Sequence, residues 1–191
     1  DAEELVEGSH DHKAVVSIFD GFPKQELLAA PLEELHRRVM GLLALQEQAQ
    51  VRLFLRRDPH HREVSALVAL PRDRYDAELR DRLQELFLRR FKGSSAEHHL
   101  SLGEGRLALV HFTVHVGFGE VPEVPLDELE REVIELSRTW EDRLEERLVA
   151  LRGEREGRAL AARWAPRFPE AYKTSTPPEI AARDVLRFEE L

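Results

Sequence analysis

Residues 51–92 constrain the fold more than any other part of this 191-residue chain. Val51, Leu53 and Leu55 alternate with Arg52, Phe54 and Arg56, and a largely apolar run returns over 64–70, which is typical of two β-strands. Asp58-Pro59 between them favours a turn, because proline presets its own φ and the aspartate side chain bonds the backbone ahead of it. The stretch therefore predicts a β-hairpin.

An amphipathic helix is predicted directly after the hairpin. Its apolar side chains recur every three or four residues and are Leu79, Leu83, Leu86, Phe87 and Phe91. Gly93 stands where a glycine that caps a helix C-terminus is expected. Alternation resumes over 95–102 and 106–116, which predicts two further strands joined by a turn at 103–105.

The chain before the hairpin gives weaker signals. Residues 11–22 fit either a helix or a buried strand, and we prefer a helix because Asp11 is a suitable N-cap. Residues 25–30 are short enough for an edge strand. Pro31 then suits a first helical turn, and the stripe that follows it is Leu32, Leu35, Val39, Leu42 and Leu43.

The order from residue 25 to 117 is thus β-α-β-β-α-β-β. It predicts an α+β, ferredoxin-like two-layer sandwich with both helices on one face of the sheet and the other face wet or covered by a partner. We expect three segments: a partly helical N-terminal segment 1–24, the ferredoxin-like domain 25–119, and a helical extension 120–191.

The extension is dominated by one apolar stripe in a charged background. It recurs every three or four residues at Leu126, Leu129, Val133, Leu136, Trp140, Leu144, Leu148 and Leu151. It predicts a single amphipathic helix over 126–152, about 40 Å long at about 1.5 Å per residue, that Gly153 ends. Shorter helices are expected around 160–167 and after Pro177-Pro178.

Composition narrows the class of protein. The chain is 42% hydrophobic and 34% charged, carries a net charge of −9 and contains no cysteine, which excludes disulfides and thiolate chemistry. No apolar run approaches a membrane span and no secretory leader opens the chain, so we expect a cytoplasmic protein. The start at Asp1 and the single Met40 indicate an excised segment. The arginine excess fits either coding bias or heat adaptation.

Arginines are the most suggestive polar feature. Arg56 and Arg57 end the first strand of the hairpin, and Arg72 and Arg74 follow the second. Residues at opposite ends of a hairpin do not converge on one anion. We interpret these four as ion-pair partners of nearby aspartates or as candidate contacts with another domain, and binding of an anion is the less favoured alternative. The acidic balance of the whole chain does not favour nucleic acid, although residues 51–92 are locally basic.

Catalytic signals are weak throughout. His111 and His115 share a strand face about 13 Å apart, too far for one metal ion, and His98 is expected to be partly buried. The G-x-G segments lack the strand-then-helix context of a phosphate loop, and Ser94 and Ser95 lack a nucleophile elbow. The sequence predicts no catalytic, cofactor-binding or metal-binding residue.

Several segments together resemble one known family. VRLFLRRD, VSALVALPRDRYDAELR, RRFKGSSAEHHLSL and RLALVHFTV, with RTWEDRL and FPEAYK further on, resemble the large bacterial NAD-dependent glutamate dehydrogenases. The resemblance covers most of residues 10–191 and implies ACT-like modules in the N-terminal region of that enzyme. NAD and the catalytic residues would then belong to domains outside this segment.

The resemblance implies a regulatory or scaffolding role, with partners in the other domains of the parent chain, in further copies of it, or in a small amino-acid effector. The loop Ala29-Ala30-Pro31 lacks the glycine that is usual at ACT effector sites, which favours scaffolding. The alternatives are an anion- or nucleic-acid-binding module that uses the arginine-rich hairpin and helix, and, last, a small hydrolase. Base stacking would require exposed aromatics, for which Phe54 is the candidate.

Overall fold

The computed structural model describes residues 15–16, 18–19, 21–22, 24, 27, 31–46, 50–58, 62–102, 106–117 and 121–190. The chain divides into two compact units, Asp1–Ser137 and Arg138–Leu191. Within the described ranges, none of the helices has the length and apolarity that a membrane crossing requires.

The first unit contains a sheet and the helices that cover it. Its elements are helix α1 (Leu32–Gln46), strands β1 (Arg52–Arg57) and β2 (Glu63–Pro71), helix α2 (Ala77–Phe91), strands β3 (Gly93–Ser101) and β4 (Leu107–Val116), and helix α3 (Leu126–Leu136). The four strands form one antiparallel sheet in the order β1-β2-β4-β3. The predicted α+β, ferredoxin-like class is confirmed.

The layering differs from the prediction, because helices lie on both faces of the sheet. Side chains of α2 and α3 pack on the face that carries Leu53, Ala66 and Val110, here called the front face. Side chains of α1 pack on the opposite face, called the back face, against Leu67 and Leu109. The alternation in β4 did not predict a helix on its second face, because that face is only partly apolar. Its residues are Leu107, Leu109, His111, Thr113 and His115.

The segment before α1 is described only in part. Residues 15–16, 18–19 and 21 are helical, in agreement with the helix preferred for 11–22, and its N-cap Asp11 lies outside the described residues. Of the edge strand predicted at 25–30, Leu27 is helical and the other positions lie outside the described residues.

The end of α2 corrects the interpretation of Gly93. The capping residue is Lys92, whose φ is 54° and whose backbone N–H donates to the carbonyl of Leu88. Gly93 instead begins β3, where a Cβ would approach Val114 Cγ1 to 2.4 Å. The glycine is therefore required by close packing rather than by its backbone conformation.

The single helix predicted over 126–152 is wrong. The chain forms α3, breaks at residues 137–139, and starts again as α4 (Trp140–Arg152). The break is stabilised by a capping box, in which the Thr139 hydroxyl accepts from the Asp142 N–H and the Asp142 carboxylate accepts from the Thr139 N–H. Periodicity missed the break because the apolar stripe continues through it.

The second unit is helical in its described part. It contains α4, α5 (Glu154–Trp164), a 3-10 turn (Ala165–Arg167), α6 (Glu170–Ser175) and α7 (Pro178–Glu189). Gly153 joins α4 to α5 with a φ of 81°. Gly157 lets the two helices meet, because a Cβ there would lie 2.4 Å from the Val149 backbone nitrogen.

Candidate functional site

The strand register separates the four predicted arginines into two pairs. Arg57 pairs with Val64 near the start of β2, whereas Arg72 follows Pro71 at its end. Eight residues of strand at about 3.3 Å each place the two pairs about 26 Å apart. One anion could not contact both pairs.

The contacts of Arg57 and Arg72 lie inside the first unit. The Arg57 guanidinium is exposed and its Nη2 donates to the carbonyl of Pro122 at 3.2 Å. Arg72 is exposed as well, and its backbone N–H donates to the Arg106 carbonyl at 2.8 Å, which extends the pairing of β2 with β4. Arg56 and Arg74 are half-buried. A role of the four in binding another domain or an anion remains a prediction.

Residues that the sequence did not single out form the clearest polar cluster. Glu130 on α3 lies beside the outer edge of β1, where its Oε1 accepts from the Leu53 backbone N–H at 3.0 Å. Its Oε2 lies 3.4 Å from Arg52 Nη1. Arg90 on α2 forms ion pairs with Glu128 and Glu132 of the same helix α3. Arginine and glutamate thus join α3 to the sheet and to α2.

A second polar cluster lies on the back face of the sheet. The buried Ser65 and His111 share a hydrogen bond of 2.8 Å between Oγ and Nε2. His115 Nδ1 lies 3.2 Å from Glu63 Oε1, and its Nε2 lies 3.9 Å from Glu97 Oε1. Serine next to histidine is also the arrangement of a nucleophile and its base, but both groups are 5% exposed, so the bond satisfies two buried polar groups.

The histidines do not assemble a metal site in the part of the chain that the structure describes. No group of three or more His, Asp or Glu side chains there has the geometry to hold a metal ion. His98, expected to be partly buried, is exposed, although its ring centroid lies 6.2 Å from that of Phe112. It is exposed because β3 is the outermost strand on its side of the sheet.

Phe54, the aromatic side chain that base stacking would need, is covered by a helix. It is half-buried on the back face within the cluster that α1 covers. A Cβ added at Gly41 of α1 would lie 3.4 Å from Phe54 Cζ. The geometry therefore removes the residue on which a nucleic-acid-binding role of the sheet depended.

The second unit has a polar network of its own. Lys173 on α6 donates to Glu141 on α4 at 2.6 Å and to Glu170 at 2.8 Å. Partial burial alone would raise the pKa of Glu141, but hydrogen bonds from Lys173, from the backbone and from Thr139 together lower it. The same two carboxylates raise the pKa of Lys173.

Tyr172 extends this network to α7. Burial, and a 2.6 Å hydrogen bond that its hydroxyl donates to Asp184, raise the pKa of Tyr172 to about 12. Its ring stacks on Phe168, with centroids 4.6 Å apart, and both rings meet Trp140 edge-on. Trp140 Nε1 donates to the Thr176 carbonyl at 2.8 Å. These contacts tie the helices of the second unit together.

The described residues thus form an antiparallel sheet covered by helices, followed by a separate helical unit, which is an α+β architecture. Three family descriptions match consecutive parts of the chain: glutamate dehydrogenase, helical motif 1, at residues 1–48; its ACT2 domain at 52–141; and its helical motif 2 at 147–191. The ACT2 match begins and ends later than the domain predicted at 25–119.

Three curated relatives are NAD-specific glutamate dehydrogenases. Those of Halomonas elongata and Mycobacterium tuberculosis are each 32% identical to this chain, over 95% and 96% of its length. That of Pseudomonas aeruginosa is 29% identical over 93%. This chain spans only 11 to 12% of their lengths. The chain belongs to the N-terminal region of the large NAD-specific glutamate dehydrogenases and carries their ACT2 domain.

Proposed function

We propose that this chain is a non-catalytic scaffolding segment of a large NAD-dependent glutamate dehydrogenase. The parent reaction would be the oxidative deamination of L-glutamate to 2-oxoglutarate, with NAD held by other domains of the parent. The names of the relatives support the parent reaction. A cytoplasmic location belongs to the same proposal and fits the absence of cysteine.

The observation that carries the scaffolding role is the way α3 is held. Glu130 joins it to the backbone and side chain of β1, and Arg90 joins it to α2. α3 is the last helix of the first unit, which ends at Ser137. A helix that is held to both the sheet and a neighbouring helix supports a structural role for this unit, which is what a scaffold requires.

Effector binding is the competing role within the same family. The back face of the sheet supports it less, because α1 covers Leu67 and Leu109 and the Ser65 and His111 side chains bond to each other. Front-face positions are occupied by the side chains of α2 and α3. Scaffolding therefore remains the preferred role.

The first test is an assay of the purified chain. We expect no reduction of NAD with L-glutamate, and reduction at a measurable rate would overturn the proposal. A thermal shift series with amino acids and nucleotides then separates the two roles, because a ligand that binds the folded state raises the Tm. A reproducible rise with one amino acid would favour the effector role.

A second test uses the parent enzyme with Glu130→Ala. Scaffolding predicts less assembled enzyme and a lower Tm, while the KM values for glutamate and NAD in the surviving enzyme stay unchanged. The matched control is Glu123→Ala, which removes an exposed carboxylate from the same unit. An altered KM at normal assembly would contradict the scaffolding role.

A further inference from the structure

The end of α5, the 3-10 turn after it and the last turn of α7 carry a cluster of aromatic and arginine side chains at the surface of the second unit. The rings of Trp164 and Phe188 lie side by side, with centroids 5.2 Å apart. The Cζ atoms of Arg163 and Arg167 lie 5.6 and 5.5 Å from the centroid of the Trp164 ring. Phe188 is 45% exposed, and both arginines are exposed. These four residues and Glu189 are called here the aromatic–arginine patch.

The composition of this patch differs from that of the helix surfaces around it. Elsewhere in the second unit, exposed arginines pair with carboxylates, as Arg147 does with Glu179 and Arg158 with Glu154. Pairing of that kind is typical of a solvated helix face. The two arginines of the patch lie against a tryptophan ring, and tryptophan and arginine are among the residues that most often dominate the binding energy of protein interfaces. The patch therefore has the side chains of an interaction surface.

Glu189 indicates the chemistry that the patch recognises. Trp164 Nε1 donates a hydrogen bond of 2.6 Å to Glu189 Oε1, and Arg163 forms an ion pair with the same carboxylate. Glu189 stands in the last turn of α7, where a carboxylate opposes the helix dipole, so these contacts offset an unfavourable position. The indole N–H and a guanidinium of the patch thus already bind one carboxylate of the chain itself.

Arg167 is the cation of the patch that a further carboxylate can reach. Among the described residues, its contacts are with the Arg163 carbonyl, to which its Nη1 donates, and with the Trp164 ring. Two arginines against the single carboxylate of Glu189 leave one positive charge in excess on the patch. An acidic side chain beside Arg167 would neutralise that charge and form charge-assisted hydrogen bonds.

The backbone holds Arg167 in a fixed place. Arg167 ends a 3-10 turn that contains Pro166, whose ring presets its φ. The next residue, Phe168, stacks on Tyr172 with centroids 4.6 Å apart and is packed against the core of the second unit. A side chain on a backbone that is already ordered loses less conformational entropy on binding. The patch is therefore preorganised for a partner.

We propose that the aromatic–arginine patch binds a segment of the parent chain outside residues 1–191, which places a carboxylate beside Arg167 and an apolar side chain on Phe188. The excess positive charge and the exposed ring define these two features of the segment. This chain spans only 11 to 12% of the lengths of the curated relatives, so most of such a polypeptide lies outside it and can supply the segment. The inference rests on the proposed scaffolding function and gives the scaffold a specific docking surface.

Hydroxyl-radical footprinting read by mass spectrometry tests the docking, because it reports the exposure of aromatic side chains. We expect Phe188 to be modified several-fold more slowly in the parent enzyme than in the purified chain. In the parent, Arg167→Glu should abolish this protection, since it repels the docked carboxylate. The matched control is Arg183→Glu, the same change at an exposed arginine about 140° around α7 from Phe188. Equal modification in chain and parent, protection that survives Arg167→Glu, or equal loss in both variants would overturn the inference.

A zero-length cross-link identifies the occupant. Arg167→Lys keeps the positive charge and supplies an amine that a carbodiimide couples to a carboxylate in contact with it. We expect mass spectrometry of the treated parent to find position 167 joined to an aspartate or glutamate outside residues 1–191. Cross-links confined to residues 1–191, whether to Glu189 of the same copy or to a second copy, would overturn the inference. NAD reduction by the purified chain would instead contradict the proposed function, so the two failures are distinguishable.

Discussion

The cores of the two units are built from different side chains. The first unit buries leucine, valine and three phenylalanines between the sheet and α2, and Phe87 meets Phe112 at a centroid distance of 5.1 Å. In the second unit, four of the buried residues are alanines, with Leu144, Leu148, Leu160 and Val185 beside them. The aromatic side chains of Trp140, Trp164, Phe168 and Tyr172 are partly buried and pack around this core.

This difference determines what stabilises each unit. A core of large side chains gains most from the area it removes from water, at about 25 cal/mol per Å². A core of alanines gains less from area and depends on how closely its helices approach and on the network around Trp140 and Tyr172. We therefore expect substitutions that shrink a core side chain to lower the stability of the first unit most. Added methyl groups and changes of pH should mainly affect the stability of the second unit.

The largest expected effect is in the first unit. Phe87→Ala empties a site that is 0% exposed, and we expect it to lower the free energy of unfolding by about 3–5 kcal/mol. Urea denaturation followed by circular dichroism measures the change. Leu32→Ala, at a residue 81% exposed, is the control and should change stability by about 0.5 kcal/mol at most. Equal losses of stability in the two variants would contradict the burial of Phe87 in the core.

The next largest effect on stability is expected in the second unit, at a glycine where two helices meet. Glycine to alanine in an ordinary helix stabilises by roughly 0.5–1 kcal/mol. At Gly157 we expect the opposite, a loss of about 1–3 kcal/mol, because the added Cβ would meet the Val149 backbone at 2.4 Å. Gly117→Ala, where a Cβ meets nothing within 4 Å, is the control. A higher Tm for Gly157→Ala would contradict the close helix approach.

A smaller effect is expected where α3 meets the sheet. Glu130→Ala leaves the Leu53 N–H without its acceptor, and we expect a loss of about 1 kcal/mol. Exchange of the Leu53 amide should quicken in the same variant. Glu123→Ala is again the control. Unchanged exchange at Leu53 would show that water replaces the carboxylate without loss.

The smallest effects concern pH and belong to the second unit. The pKa of Glu141 is lowered from 4.5, so its contribution is present above that pH and is lost as pH falls through the lower folded value. The pKa of Tyr172 is raised from 10.0 to about 12, so its contribution is present below pH 10 and is lost as pH rises toward 12.

Thermal melts across both ranges measure these losses. Lys173→Met should weaken the acid dependence, because it removes the cation that favours ionised Glu141. Tyr172→Phe should weaken the alkaline dependence. The Phe87→Ala variant serves as the comparison, since its destabilisation should keep both pH dependences. If the Tm of Lys173→Met depends on acid pH as strongly as that of the unsubstituted chain, the hydrogen bond between Lys173 and Glu141 does not cause the acid dependence.

Much of the first unit could be predicted from the sequence because its patterns are local. Alternation over 51–56 and the apolar run over 64–70 give β1 and β2, and the helical spacing of Leu79 to Phe91 gives α2. The site was less predictable. The sequence points to Arg56 and Arg72 because they flank strands, whereas Glu130 acts through a backbone N–H that lies 77 residues earlier. A contact between residues so far apart in the chain produces no pattern among neighbouring positions.

Three features needed the tertiary structure. α1 lies on the back face because the sheet offers Leu67 and Leu109 there, and side-chain alternation does not say which helix covers a face. The break between α3 and α4 depends on the Thr139 and Asp142 capping box within a stripe that would suit one continuous helix. Gly93 and Gly157 are required by neighbours that approach from other elements.

The sequence by itself determined the four strands, α1, α2, the fold class and the family, because periodicity, turn residues and family segments are properties of neighbouring positions along the chain. The tertiary structure alone decided the covering of both sheet faces and the division at Ser137. These depend on distances between residues far apart in the chain, which are fixed only when the elements pack.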